Sequence, residues 1–593
     1  MLDEPEEDHQ LDEEEEQEEE QEEGEEEASA EPPIKKQKSA DASREAHAQQ
    51  KKLRQERRLA KPNGEMMVEA KALWEKLRRR TTTKEQKTEY VDQLLQGIQG
   101  RMLDVIFKHD ASRIVQACIK EGNKEQRDRV CEELKGHYLK LAQSQYGRFL
   151  ISKILKYCAD YRESVCREFY GKVRKFIRHR EASQVIEELF SQYANAAQRA
   201  SLLEEFYGPE FALFKSSSSQ ALPARSLAVI LQEEPAKRPG ILKHLREAVS
   251  EVMNKGTMGH TIVHRAILEY MRVAEGQEAQ ELIEIVREHI AEILHTRNGA
   301  RAAMLLFLYA TPKDRKVMLK ALKPYVEKVA QEEYGHMVLL RIFDVVDDTV
   351  LVRKTLLGDL TDHALALADH KYGRRVLLYL LCGRSPRYFS PDALQLLREG
   401  DAAREQTSKK DPQVRSQELL KAVSPALLRL ATEEAGSLLS KGMSSQVYEE
   451  ILVMCEGDEK GKAAAIQALQ ALVSLPPHTS AHVAHTPVAS RALQHLIRAD
   501  KPERPVAGVA QAIWKGLCAE QEGEEWVTVL MEHVERGAGF VLVALLEHSQ
   551  CESEVRKVLK TQIGALKANI GESNRGAEVL VEKLGNSGSK FKH

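Results

Sequence analysis

The sequence predicts an all-α protein built as an α-solenoid, a stack of short helical units in place of one or two globular cores. Three observations point there. At 593 residues the chain is longer than a single core can serve, since one core stops growing beyond roughly 250–300 residues. Hydrophobic residues make up 42% and charged residues 30%, with helix formers abundant and no long alternating Val, Ile and Thr runs of the kind strands need. A phrase also recurs: "SQYGRFLISKIL" at 144–155 returns as "EEYGHMVLLRIF" from Glu332 and as "HKYGRRVLLYLL" at 370–381.

With Gly147 as anchor, equivalent small residues stand at Ala111, Ala182, Gly259, Gly299, Gly335, Gly373, Ser444, Ala489, Ala538 and Gly576. Several steps are 35 to 38 residues, and the first two after Ser444 lengthen to 45 and 49. The 77-residue gap between Ala182 and Gly259 holds two periods, so a degenerate unit is expected around "ALPARSLAVIL" (221–231). Helical units of this length cannot bury their apolar faces alone and stack on their neighbours. Each unit supplies one or two leading helices, as in "KEQRDRVCEELKGHYLKLAQ" (124–143), then a turn and the anchored helix. In that helix a small residue precedes two polar or basic positions, two apolar ones and a further variable position. The variable side chains, one turn apart, share one face, and the apolar ones point into the stack.

The chain divides on this reading into four stretches. Residues 1–65 form an acidic-then-basic disordered tail, 66–397 the N-terminal and central units, 398–413 ("REGDAAREQTSKKDPQ") an exposed loop, and 414–593 divergent C-terminal units. Helical periodicity opens at "EAKALWEKLRRR" (69–80). The net charge of -5 hides an asymmetry: residues 1–33 carry 19 Asp and Glu and no Lys or Arg, leaving 87 basic against 73 acidic side chains elsewhere, a net of +14. The acidic run is too charged to bury a core, and the basic remainder favours polyanionic partners. Clusters at 32–38 and 51–58 have the composition of nuclear-import signals.

Other classes find little support. Eight scattered cysteines without CxxC pairs read as reduced core residues. No apolar run approaches a membrane span, and the acidic start is unlike a signal peptide, so a soluble intracellular protein without membrane contact is expected. His478, His482 and His485 have helical spacing, but prolines bracket them and no carboxylate joins in register, so no metal site is assigned. "RGAGFVL" (536–542) lacks the lysine of a phosphate loop, and no catalytic motif or cofactor site stands out. In "TPKDRKVMLKALK", Lys313, Arg315, Lys316, Lys320 and Lys323 form either a phosphate-binding patch or a solvated outer helix face.

The anchored helix resembles the recognition helix of the Pumilio (PUF) repeat family, whose units read one base each with two or three side chains. In "ASRIVQACI" the resemblance makes Ser112 and Gln116 the edge-reading pair and Arg113 the stacking residue. It likewise implies Ser183, Gln184 and Glu187, then Ser445, Gln446 and Glu449, then Ser490, Arg491 and Gln494. A Ser and Gln pair goes with adenine in that family, a Ser and Glu pair with guanine. The middle units depart from the code, with Arg148 and Phe149 after Gly147, His260 after Gly259, Arg301 near Gly299, His336 after Gly335, and Arg374 and Arg375 after Gly373. Cationic residues at such places neutralise phosphates whatever the sequence.

"ALWEKLRRR", "TPKDRKVMLKALKPYVEKVA", "DHKYGRRVLLYLLCGRSP" and "SKKDPQVRSQELLKAVSPALL" are similar to a divergent nucleolar branch of the family. That resemblance implies an L-shaped array of about eleven three-helix repeats, binding RNA and single- or double-stranded DNA with little sequence preference. It further implies a monomer resident in the nucleus and nucleolus, acting with ribosome assembly factors on pre-ribosomal RNA for the large subunit. Two other readings stay open: a sequence-specific translational repressor on messenger RNA, and a protein-interaction solenoid whose RNA contact is incidental.

Overall fold

The computed structural model describes residues 63–213, 225–456, 459–475, 482–483, 486–501, 504, 506–518, 538–568, 570 and 575–585. The acidic run, both basic clusters, Ser216 to Ser219, His478 and His485 lie outside the described residues. Among the described residues every regular element is a helix. The anchored helices are numbered here α1 (His109–Glu121), α2 (Gly147–Tyr157), α3 (Arg180–Glu188), α4 (Thr261–Val273), α5 (Arg297–Tyr309), α6 (Gly335–Val345), α7 (Gly373–Cys382), α8 (Gly442–Met454), α9 (Pro487–Ala499), α10 (Ala538–Glu547) and α11 (Arg575–Gly585). Every anchor lies at or within the start of its helix, except Gly259, two residues before α4.

The described residues form two compact units, divided between Gln126 and Arg127. In the first, α1 packs on helices Gly64–Leu77 and Lys84–Ile98. In the second, α2 lies on α3, and each helix from α4 to α11 lies on the next. Their apolar positions are fully covered: Leu150, Ile267, Leu306, Leu340, Leu378 and Leu493 are 0% exposed. Burial of each such side chain contributes about 1.5–3 kcal/mol.

Sterics explain the anchor. A Cβ placed on Gly147 would stand 2.7 Å from the Leu141 carbonyl oxygen, on Gly299 1.8 Å from that of Ile293, and on Gly335 and Gly373 3.0 Å from those of Val329 and Leu367. In each unit the obstructing carbonyl lies six residues back, where the preceding short helix or turn meets the inner helix. Ser444 solves the same problem by bonding, its Oγ donating to the Leu438 carbonyl, again six residues back, at 2.8 Å.

Two expectations are corrected. The segment expected to form a degenerate unit at 221–231 does not separate α3 from α4. Glu187 of α3 accepts from the Thr261 backbone N–H (2.6 Å) and hydroxyl at the start of α4, and Arg174 meets Glu251 at 3.1 Å. The seven-residue helix Leu227–Glu233 packs instead on α4, with the Leu227 N–H donating to Glu269 at 3.2 Å.

Residues 398–413, expected as an exposed loop, contain helix Asp401–Thr407 and lead into Pro412–Glu433. Arg384 grips Asp401 in bidentate fashion at 2.7 and 2.8 Å, and Ser408 and Lys409 bind the Asp347 carboxylate. Gly400 leaves room for the Arg341 guanidinium, which a Cβ would approach to 2.4 Å. Few apolar residues mark the segment because arginines from elsewhere hold it. One of these is Arg315, which leaves the lysines of the supposed basic patch. It is 3% exposed and donates to the carbonyls of Phe307, Leu308, Val345 and Thr407 at 2.8–3.3 Å.

All eight cysteines are free thiols, and six are buried; Cys518 is exposed. Burial pushes Cys118, Cys166 and Cys455 up to about 12. No described helix is long and apolar enough to cross a membrane.

Candidate nucleic-acid interface

The edge-reading candidates do not stand free. Ser112, Ser183, Ser445 and Ser490 are 0–3% exposed, because the second position of each inner helix turns toward the neighbouring helix. Ser183 and Ser445 donate back to the carbonyls of Arg180 and Gly442. In α1 and α9 the pair closes on itself, with Gln116 donating to Ser112 at 3.1 Å and Gln494 to Ser490 at 3.4 Å.

The two glutamates are captured by other elements. Glu187 is held by Thr261, as above, and burial raises its pKa. Glu449, 5% exposed, accepts from Arg387 at 2.8 Å and lies 3.0 Å from His495 Nδ1. Arg387 also donates to His495 Nε2, and the adjoining Tyr388 hydroxyl donates to Glu450 at 2.5 Å. A carboxylate offers only acceptors, and these are largely occupied.

The stacking and cationic candidates vary in access. Gln184 and Arg491 are exposed; Arg148, His260, Arg301, Arg374, Arg375 and Gln446 are half-buried; Arg113, Phe149 and His336 are buried. Arg113 lies 5.9 Å from the Trp74 ring. Arg148 covers Phe149 at 4.1 Å and pairs with Glu181 at 3.0 Å. His336 stacks on Tyr372, 5.1 Å between centroids, and the same ring meets Lys371 and Arg375. Tyr372, absent from the sequence-derived set, thus gathers two candidate groups, His336 and Arg375, with Lys371 beside them. It was visible as the tyrosine preceding the glycine in each recurring phrase.

Three histidines on this face are held neutral by burial. Burial depresses His260 and His336 to about 4 and His264 to about 3. His264 Nδ1 meets Thr296 Oγ1 at 2.7 Å, and His336 Nδ1 the Glu332 carbonyl at 3.0 Å.

Four arginines gather on α4 and α5, where sequence reading named only Arg301. Arg265 and Arg272 of α4 share Glu269, Arg265 in close contact and Arg272 at 3.9 Å. Arg297 and Arg301 of α5 meet no carboxylate within 4.0 Å among the described residues. Burial, then repulsion from Arg297 and Arg272, lowers the pKa of Arg301. The missed signal was helical spacing, 265 to 272 and 297 to 301, on two consecutive inner helices. Among the described residues no cluster of His, Cys, Asp or Glu would hold a metal, and His482 Nε2 is engaged by the Val473 carbonyl at 3.1 Å.

Anchored helices that stack on their neighbours within the second unit, each opened by a small residue and carrying variable polar or basic side chains in its second turn, define an α-solenoid of Pumilio-type units. Comparison with known proteins agrees. Residues 369–505 match the CPL (NUC119) domain. The chain is 37% identical over 549 residues to "Pumilio homology domain family member 6" of Schizosaccharomyces pombe, covering 91% of this chain and 83% of that one. It is 34% identical over 545 residues to "Pumilio homolog 3" of Homo sapiens, covering 90% and 82%. The crystal structure of human Puf-A superposes with a TM-score of 0.78 at 32% identity, over 88% of this chain and 99% of that one. Its complex with DNA gives 0.77 at 33%, over 88% and 100%. The chain belongs to the Pumilio family, in the branch that contains Pumilio homolog 3.

Proposed function

We propose that the protein is a non-catalytic scaffold that binds RNA, and DNA, through the inner faces of its helices with little discrimination between bases. One observation carries this reading. The carboxylates placed to read base edges are already bonded inside the protein, while guanidiniums on α4 and α5 remain available to phosphates. Electrostatic contacts of that kind give affinity without sequence information. The complex of human Puf-A with DNA supports it. Within the cell we place the activity in the nucleolus, on pre-ribosomal RNA destined for the large subunit, with the protein acting as a monomer that positions RNA among assembly factors.

Filter binding of the full chain to unrelated RNA and DNA strands, across several salt concentrations, tests the chemistry. Affinities should agree within about threefold, with log affinity falling by about 0.7 per phosphate contact for each decade of salt. One tight motif with a shallow salt slope would instead favour the messenger RNA repressor. Crosslinking and sequencing of bound RNA in cells tests the location, where a predominance of mature messenger RNA would overturn it.

A further inference from the structure

At the junction of α3 and α4 lies a cavity of about 470 Å³, within the 300–1,000 Å³ range of ligand sites. Its origin is local. α3 runs on into one turn of π-helix, Leu189–Tyr193, a distortion that recurs at functional sites. Arg199 binds the carbonyls of Phe190 (2.7 Å) and Ser191 (2.9 Å) there, so the widened turn is fixed in place.

The wall combines two kinds of surface. Phe190, Leu203 and Tyr207 supply aromatic and aliphatic area, while Thr261, Asn298 and Glu269 supply polar groups. Glu269 is 2% exposed. Its Oε2 accepts from the Leu227 N–H, while its Oε1 touches Arg265 but receives no aligned hydrogen bond among the described residues. That oxygen is therefore neutralised by Arg265, with Arg272 at 3.9 Å, and of its two lone pairs one can still accept from a further donor.

The cavity is also continuous with the candidate interface. Thr261, in its wall, opens α4, and Arg265, also in its wall, repels Arg301 on α5. We propose, resting on the nucleic-acid reading above, that this cavity takes one nucleotide turned out of a bound strand. The base lies against the aromatic and apolar wall, an exocyclic amino group donates to Glu269, and the neighbouring phosphate sits at Arg265 and Arg301. Uracil and thymine carry no amino group, so adenine, guanine and cytosine are preferred. Unstacking costs a few kcal/mol, least in a strand already single, so the preferred partner is single-stranded.

Crosslinking with single-stranded RNA in which guanosine is replaced by 6-thioguanosine, followed by peptide mapping, tests the site. The wild-type chain should crosslink at peptides holding Phe190 or Tyr207. Ala200→Trp, which puts an indole into the opening from a half-buried position, should lower that yield about tenfold while total RNA affinity stays within about threefold. Phe190→Leu, a milder change, should lower it less, and the thermal midpoints of both variants confirm folding. Crosslinks elsewhere on the inner helices with none at the cavity, or a cavity yield unchanged in A200W, would overturn the proposal. Failure of the wild-type chain to bind RNA at all would remove the underlying reading, and this proposal with it; filter binding separates that case from the others.

Discussion

Two arginine-rich regions of the second unit use the same side chain in opposite ways. Around helix Asp401–Thr407, Arg315, Arg384 and Arg415 spend their N–H groups on backbone carbonyls and on Asp344, Asp347 and Asp401. Arg415 is 1% exposed and also binds the carbonyls of Asp344 and Lys410. On α4 and α5, Arg265 and Arg272 share one carboxylate, Glu269, while Arg297 and Arg301 pair with none within 4.0 Å among the described residues. The first region is a clamp whose charge is neutralised within the fold, and the second holds positive charge that a polyanion would complete. A count of basic residues treats the two alike; the difference lies in the acceptors each meets.

The largest effect that would break this comparison is in the clamp. Arg415→Met takes a charged donor from half-buried Asp347 and a donor from each of two carbonyls, and losing a hydrogen bond to a charged group costs about 1.5–3 kcal/mol. Urea denaturation should show that loss, with the salt slope of RNA binding unchanged in the folded protein. A loss under about 1 kcal/mol would mean that the clamp arginines are not structurally committed.

Acid separates the regions next. Burial holds His260 at about 4 and His264 at about 3, below the value near 6.5 of an unfolded chain. The unfolded state therefore binds protons first as pH falls. The stability of neutral histidines is complete above about pH 6.5 and is lost on the way down to 4 and 3, by about 1 kcal/mol apiece at pH 5.5. Hydrogen exchange at pH 7 and 5.5 should show faster opening of peptides covering 258–270 than of those covering 401–415. Equal acceleration of the two would contradict it.

Replacing Arg297 and Arg301 together with Gln should weaken RNA binding about tenfold at low salt and flatten the salt slope by about 1.4, two phosphate contacts at 0.7 each. Stability should hardly change. If binding survives and the protein unfolds, these arginines belong with the clamp.

The stack itself was legible because it is local. Gly147, Gly335 and Gly373 repeat a steric demand set six residues upstream, and the apolar positions between variable ones repeat with the helical turn. The fate of the variable positions was not. Ser183 and Glu187 look like a base-reading pair until Thr261, 74 residues on, takes the carboxylate. "REGDAAREQTSKKDPQ" looks like a loop because its partners, Arg315, Arg341 and Arg384, are remote in the chain. Arg265 and Arg297 were passed over because the anchored pattern directed attention to the second-turn positions alone, while charge gathers across two helices.

The smallest effect concerns a base-reading position that the protein has closed. Glu449 sits where the family resemblance puts a guanine-reading acceptor, yet Arg387 and His495 hold it. Arg387→Met keeps much of the side-chain volume and removes the guanidinium, leaving the carboxylate with His495 and a free acceptor site. A hydrogen-bonded base contact is worth about 1–3 kcal/mol at full strength, and a buried, partly engaged carboxylate should realise only the lower part of that. Selection from a randomised RNA pool should therefore show a threefold to tenfold gain in guanine at one position, against none for the wild-type chain. Thr261→Val at Glu187 removes one of two donors, the hydroxyl, and keeps the backbone N–H, so its gain should be smaller still. An R387M chain that binds more weakly to every sequence and prefers no base would show that Arg387 contacts phosphate and that Glu449 has no reading role.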